Sequence, residues 1–308
     1  MHLLSITDLT KKEITDLIQV SKLLKANSNQ HSERLKNKTL AMLFEKPSTR
    51  TRISFEVAMV QLGGHAINLN ANEIQLKRGE AVSDTAKVLG RYVNGVMARV
   101  HKHDTLTELS ENSSIPVING LSDIEHPCQV ISDLFTIYEK FPFDFQSKDR
   151  FCDGNFDIKL AYIGDGNNVC NSLILGCAIM GIDAAVATPK GYEPDAGVVN
   201  SAKKISDKIT ITNNPEDAAC DADVVYTDVW ISMGSEGEEK ERMNKFKNYQ
   251  VNAKLLSNAK PGCKIMHCLP AHRGMEIDGV IDGENSIVWD QAENRLHAQK
   301  AVLLKLLE

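Results

Sequence analysis

No apolar run in the chain is long enough to span a bilayer. The longest, Leu173 to Ile182, stops at Asp183, whereas a spanning helix needs about 20 apolar residues. The first residues carry Asp8, Lys11, Lys12, Glu13 and Asp16 in an amphipathic pattern, without the apolar core of a signal peptide. The seven cysteines (Cys128, Cys152, Cys170, Cys177, Cys220, Cys263, Cys268) contain no Cys-x-x-Cys pair. That excludes a zinc ribbon and argues against a disulfide framework, so a reducing, cytoplasmic setting is expected. No basic stripe occurs, and a net charge of −6 with a pI near 5.9 sets nucleic acid aside as the main partner. No His/Asp/Glu cluster has metal-ligand spacing, so no required metal and no cofactor are expected. Internal repeats and low-complexity tracts are also missing.

What is present is an ordinary globular balance, 42% hydrophobic and 25% charged over 308 residues, enough for two domains. Thr10-Lys11-Lys12-Glu13 has capping-box spacing and opens a helix reaching the mid-twenties. Apolar bursts at Thr39–Phe44, His65–Leu69, Val96–Val100 and Ile115–Gly120 read as strands, with helices predicted after residue 48, from Asp84 to Tyr92 and from Pro127 onward. Lys140 to Asp157 is charged and aromatic without periodicity, and a second series of alternating elements follows it. Its strands are predicted at Lys159–Gly164, Ala184–Ala187, Ile209–Thr212, Val224–Tyr226 and Lys264–His267, and its first helix at Asn171–Met180. The fold class expected is α/β with two doubly wound domains, residues 1–140 and 141–308, each a parallel sheet flanked by helices.

One stretch concentrates chemistry. Ser48-Thr49-Arg50-Thr51-Arg52 follows the Thr39–Phe44 strand and opens a helix in which Ile53, Val57 and Val60, with Phe55 and Met59 one position off, recur at helical spacing until Gly63-Gly64. Ser48 is a candidate N-cap. The unpaired N–H groups of a first helical turn attract anions, and Arg50 and Arg52 add cationic forks. A solvated basic turn is the bland alternative; the strand-to-helix placement favours a phosphate cradle. The polar stretch from Asn70 to Ser83, containing Gln75, has the length of a functional loop.

Other signals are modest singly. Gly164-x-Gly166 after a strand invites a dinucleotide, but Val169 stands where the third glycine belongs. Asn167-Asn168 offers amides for a small polar ligand, or forms an Asx turn. His126 and Gln129 fall on one face near a helix start, which also suits a simple helix-start device. Cys268 at a strand end invites a nucleophilic thiol, but no accompanying histidine and acid show triad logic, and buried structure is the alternative. Asp228 to Gly234 joins a carboxylate, a hydroxyl and a glycine, suited to an ammonium group or to a strand-exit turn. Glu236 to Glu241 reads as a solvated face.

In combination the motifs Ser48-Thr49-Arg50-Thr51-Arg52, His126-Pro127-Cys128-Gln129, Asp228-x-x-x-Ser232-Met233-Gly234 and His267-Cys268-Leu269-Pro270 resemble the ornithine carbamoyltransferase family across nearly the whole chain. The first two are common to carbamoyltransferases, including the aspartate branch. The last two are similar to the ornithine branch. The resemblance implies carbamoyl phosphate held by Ser48, Thr49, Arg50, Thr51, Gln75, Arg99, His126, Gln129, Cys268, Leu269 and Arg295, and ornithine held by Asn168, Asp228, Ser232 and Met233. It implies catalytic roles for Arg50, Arg99, His126, Asp228 and Cys268. It also implies a C-terminal helix, about residues 290–308, packing back on the first domain, and a trimer or multiple of trimers in which Gln75 reaches a neighbour's site. Other amine acceptors, such as putrescine or an acylated ornithine, and a catalytically silent homologue are the competing readings. Whether the reaction serves arginine biosynthesis or arginine and ornithine breakdown stays open.

Overall fold

The computed structural model describes residues 1–27, 32–141, 158–231 and 236–308. The chain divides into two compact units, Met1–Lys140 with Glu293–Glu308, and Phe141–Ala292.

The first unit runs α1 (Lys11–Ala26), β1 (Thr39–Phe44), α2 (Thr49–Gln61), β2 (His65–Asn70), α3 (Val82–Tyr92), β3 (Gly95–Arg99), α4 (His103–Glu111), β4 (Val117–Leu121) and α5 (Pro127–Lys140). Its strands are all parallel, in the order β2-β1-β3-β4. Parallel neighbours require crossovers, which α2, α3 and α4 supply. The inner strands β1 and β3 are buried almost throughout, as expected of a sheet covered on both faces. From β1 the chain steps to β2 on one side and later to β3 on the other. The carboxyl ends of β1 and β3 therefore flank a topological switch point, where ligands of open α/β sheets bind.

Two features of this unit go beyond the sequence reading. Helix α2 buries Thr51, Phe55, Ala58 and Met59, while Ile53 and Val60 are 55% and 53% exposed. Only one face of the crossover meets the sheet, so the Ile53, Val57 and Val60 stripe lies outside it and, with Glu56 and Gln61, lines a shallow groove of about 420 Å³. Helix α4 is absent from the sequence reading. Its apolar content is Leu106 and Leu109, three residues apart and both buried, too sparse a signal in a nine-residue helix.

The second unit runs β5 (Lys159–Ile163), α6 (Asn168–Met180), β6 (Asp183–Ala187), α7 (Ala196–Ile205), β7 (Ile209–Thr212), α8 (Pro215–Ala219), β8 (Val224–Thr227), α9 (Glu239–Phe246), α10 (Ala253–Leu256) and β9 (Lys264–His267). Its sheet is also parallel, in the order β7-β6-β5-β8-β9, which puts the switch point between β5 and β8. The apolar run at Leu173 lies in α6, which is buried along nearly all its length. No helix among the described residues is long and apolar enough to cross a membrane. Trp230, Phe246 and Tyr249 gather in the core of this unit, and the Tyr192 ring meets Phe246 edge-on at 4.9 Å between centroids.

Gly166 has a packing role that accounts for its presence without a dinucleotide. A Cβ there would lie 2.3 Å from the Pro194 nitrogen and 2.4 Å from the Glu193 carbonyl carbon, so only glycine permits this approach of two backbones. The last helix, α11 (Val288–Leu307), belongs to the first unit from Glu293 onward. There Asn294 donates to Thr136 Oγ1 at 3.0 Å, and Lys305 pairs with Glu13 at 2.9 Å. The fold is thus α/β with two helix-flanked parallel sheets and a C-terminal helix packed back on the first unit.

Candidate active site

In the first unit the switch point is built by three chain segments and the returning helix. Ser48 caps α2: its backbone is extended, and its hydroxyl accepts from the Thr51 N–H at 3.3 Å. The first turn of α2 therefore presents Thr49, Arg50 and Thr51 beside its positive dipole end. Arg99 is the last residue of β3 and is 7% exposed, opposite Phe44, the last of β1. His126 immediately precedes α5, and its carbonyl accepts from the Gln129 N–H at 3.0 Å. Arg295 arrives from α11 and donates from Nη2 to Thr51 Oγ1 at 2.9 Å.

The charges that act on His126 are positive. Burial, then the positive charges of Arg295 and Arg99, hold the His126 imidazole well below its ordinary pKa, so it is neutral at pH 7. Partial burial, then Arg99, likewise lowers Lys46, a cation of this cluster that the motif reading left without a role. A neutral imidazole among guanidinium groups can donate an N–H to an oxygen acquiring charge without adding a proton to the site. Gln129 is buried; its amide nitrogen donates to Asp133 at 2.9 Å, while Oε1 has no hydrogen-bond partner among the described residues. That oxygen is an acceptor for an N–H of a ligand. Beside the cradle a groove of about 410 Å³ is lined by Glu45, Ser48, Thr49, Arg52, Asn68 and Asn70, among others. Gln75 lies outside this group, exposed on a short 3-10 turn, Gln75–Arg78.

In the second unit Asp228 follows β8 at the switch point and is 6% exposed. Its Oδ2 accepts from Asn167 Nδ2 at 2.7 Å, and its Oδ1 accepts from its neighbour's N–H, Val229, at 2.8 Å and from the Cys268 thiol at 2.9 Å. Asn167 caps α6, accepting from the N–H groups of Val169 and Cys170 at 3.0 and 3.1 Å. The helix accordingly starts at Asn168, three residues before the predicted Asn171, because the Asn167 side chain closes the first turn. Of the asparagine pair, Asn167 is committed to the cap and to Asp228, and Asn168 is the half-buried first residue of the helix. Ser232 and Met233 lie outside the described residues.

Arg242 directly follows the Glu236 to Glu241 stretch read as a solvated face, and its guanidinium donates to Asp165 Oδ2 and to the Trp230 carbonyl, both at 2.9 Å, and stacks over Tyr192 at 4.8 Å. Burial pushes the Asp165 carboxyl up to about 6 despite that pairing. The donor atoms of Asp228, His267 and Cys268 lie within 4.8 Å of one another, a set that spacing in the sequence did not suggest. The thiol is directed at Asp228, and His267 Nδ1 accepts from the Leu269 N–H at 2.9 Å, so a metal would have to displace these bonds. By contrast, burial pushes the Cys128 thiol up to about 12, leaving it inert.

The first unit thus carries a cationic, hydroxyl-rich helix start, and the second a buried carboxylate at its switch point. Residues 1–139 match the family profile described as aspartate/ornithine carbamoyltransferase, carbamoyl-P binding domain, and residues 156–306 match its Asp/Orn binding domain. The chain belongs to the aspartate/ornithine carbamoyltransferase family. It is 54% identical to an ornithine carbamoyltransferase of Methanosarcina acetivorans over 99% of this chain and 98% of that one. It is 52% identical to a protein of Thermoplasma acidophilum named as a catabolic ornithine carbamoyltransferase, over 99% and 98%. The solved ornithine carbamoyltransferase of Pyrococcus furiosus superposes with a TM-score of 0.91 at 48% identity, covering 99% of this chain and 96% of that one.

The Asn167-Asn168 pair was read from the sequence, but the cap and the bond to Asp228 both fall on Asn167. Arg242 escaped the motif reading, because it acts through partners that no short pattern contains.

Proposed function

We infer that this chain transfers the carbamoyl group of carbamoyl phosphate to the δ-amine of L-ornithine, giving L-citrulline and phosphate. The observation that carries the acceptor is Asp228, a buried carboxylate bonded to Asn167 and Cys268, which suits an ammonium-bearing amino acid and repels a dicarboxylate such as aspartate. The motifs of the first unit supply the donor side, and relatives matched along their full length carry the same activity in their names.

In this reading residues 1–140 bind the donor and 141–308 the acceptor. The first turn of α2, through Ser48, Thr49, Arg50 and Thr51, holds the phosphate, with Arg50 as its main counter-charge. Arg99, Thr51 and neutral His126 direct donors at the carbamoyl oxygen, where negative charge develops as the carbon becomes tetrahedral. Gln129 Oε1 and the backbone at Cys268 and Leu269 orient the carbamoyl amide, and Arg295 completes the cationic cluster. Ornithine lies against Asn168, Asp228, Ser232 and Met233. Its δ-ammonium, with a free pKa of about 10.4 by analogy with lysine, must lose a proton before its lone pair attacks. That first proton goes to solvent; as the new C–N bond forms, the C–O bond to phosphate breaks, and the departing phosphate takes the second proton from the attacking nitrogen, leaving the ureido N–H.

The assembly proposed is a homotrimer or a multiple of trimers in the cytoplasm, with Gln75 contributed to a neighbouring copy. The exposed loop carrying Gln75 and the apolar groove on α2 support it. One of the named relatives is catabolic, so the reading covers arginine biosynthesis and ornithine breakdown alike. The test incubates purified protein with carbamoyl phosphate and ornithine, putrescine, acetylornithine or aspartate, and measures the ureido product. Ornithine is expected to give the highest kcat/KM; a preference for any other acceptor overturns the substrate assignment.

A further inference from the structure

His267 and Glu276 form a buried pair beside the acceptor site whose chemistry the mechanism above leaves unused. Both side chains are 0% exposed, and His267 Nε2 lies 3.3 Å from Glu276 Oε1. The other ring nitrogen settles the protonation. Nδ1 accepts from the Leu269 N–H at 2.9 Å, so it carries no hydrogen, and the ring is the neutral tautomer with its proton on Nε2, donated to Glu276. Glu276 Oε1 also accepts from the His272 N–H, and the Glu276 carbonyl accepts from the Val251 N–H at 2.9 Å. One carboxylate therefore ties together the imidazole at the end of β9 and the far side of the turn that follows it.

That turn holds an unusual backbone. Leu269 has φ +61°, a left-handed conformation that a residue bearing a Cβ rarely adopts. Its amide hydrogen is the one that His267 receives. The residue between them, Cys268, aims its thiol at Asp228 Oδ1, 2.9 Å away. Burying a carboxylate beside a neutral imidazole is costly, and an apolar pair of the same volume would pack the β9 end as well or better. What an apolar pair cannot supply is an acceptor for the Leu269 N–H at a fixed place.

We propose that Glu276 is a positioning residue of the acceptor site, acting through His267 to hold the Cys268–Leu269 backbone so that the Cys268 thiol meets Asp228. Glu276 fixes the tautomer, the tautomer fixes Nδ1 as acceptor, and the acceptor fixes Leu269. This rests on the ornithine reading for its kinetic consequence but not for its geometry.

The test uses the full chain with Glu276→Gln, Glu276→Ala, His267→Asn and His267→Gln. Two readouts are taken: the KM for ornithine against kcat and the KM for carbamoyl phosphate, and the iodoacetamide alkylation rate of Cys268 by mass spectrometry, with exposed Cys220 as internal reference. Glu276→Gln keeps an oxygen acceptor for Nε2–H and stays within about threefold of wild type in both. Glu276→Ala raises the ornithine KM by roughly tenfold, leaves the carbamoyl phosphate KM within about twofold, and changes the Cys268 rate relative to Cys220 several-fold. A lowered melting temperature with both readouts unmoved makes the pair merely structural and overturns the proposal. Should Glu276→Ala not fold, the histidine variants decide. Asn places an oxygen near the Nδ1 position and Gln near Nε2, so His267→Asn must retain the tighter ornithine KM; equal losses overturn it. If wild type does not carbamoylate ornithine, the functional reading fails, and the alkylation rates still judge the positioning role.

Discussion

Arg295 Nη2 donates to Thr51 Oγ1 at 2.9 Å across 244 residues of sequence, joining the last helix to the first turn of α2. Both side chains are buried, so the bond is made where water competes little and a charge acts strongly. Removing Arg295 would leave the Thr51 hydroxyl to reorient and take one positive charge from the neighbourhood of His126. Arg295→Ala is expected to lower kcat/KM for carbamoyl phosphate by about 100-fold or more, in the range seen when one transition-state donor is lost. Arg295→Lys restores charge without the planar fork and should recover only part of it. Arg50→Ala should be the more severe of the two alanine variants, because Arg50 sits at the capped helix start itself. Steady-state kinetics on both variants check the ranking, and an Arg295→Ala protein with unchanged kcat/KM would remove the residue from the site.

The thiol of Cys268 is a donor to Asp228, not a nucleophile with a partnered base. Cys268→Ser keeps an O–H donor at a shorter reach, so turnover should persist, with the loss concentrated in ornithine KM at roughly 3- to 30-fold. Asp228→Asn removes the carboxylate proposed to face the acceptor ammonium and should cost far more, about 100-fold in kcat/KM for ornithine. A wholly inactive Cys268→Ser enzyme would mean that orientation is too small a role for this side chain.

How far the sequence carried these conclusions depends on where each signal resides. Strands such as Thr39–Phe44 and Lys264–His267 were legible to the residue, because a buried parallel strand is a short apolar run bounded by polar turns. The cradle was legible because a cap, hydroxyls and arginines are local to one helix start. The pairings of Asn167 and Arg242 were not, since their partners Asp228 and Asp165 lie 61 and 77 residues away and are brought near only by the order of strands in the sheet. The buried face of α2 was left open for a related reason. Ile53, Val57 and Val60 fit the helical period as well as Phe55 and Met59 do, and periodicity does not tell which apolar stripe meets the sheet.

Arg242 couples Trp230 to the β5 turn, since it binds the Trp230 carbonyl and the Asp165 carboxylate at once. Without it Asp165 would face Asp228 as a second uncompensated negative charge; the two already repel, which contributes to raising Asp165. Arg242→Gln should therefore push Asp165 further up and raise the ornithine KM about tenfold, with the carbamoyl phosphate KM unchanged. Arg242→Lys retains the charge and should fall in between. Equal changes in both KM values would instead indicate a global loss of order.

The buried histidines of the first unit predict how stability depends on pH. His297 is 2% exposed, and burial followed by the positive charge of Lys300 lowers its imidazole to about 4, against weaker opposition from Glu293 and a smaller lowering from Lys25. In the unfolded chain the same group titrates near its free value of roughly 6.5. Between these values the unfolded state binds a proton that the folded state refuses, so stability is fully present above pH 6.5 and is lost as pH falls toward 4. His126, lowered chiefly by burial and then by Arg295 and Arg99, acts in the same direction. Melting temperatures measured from pH 7.5 to 4.5 should therefore fall with acid. His297→Leu should fall less steeply than wild type while keeping the part of the slope that belongs to His126. Parallel slopes for wild type and His297→Leu would show that His297 takes up its proton in the folded protein at its ordinary pKa, contrary to its burial.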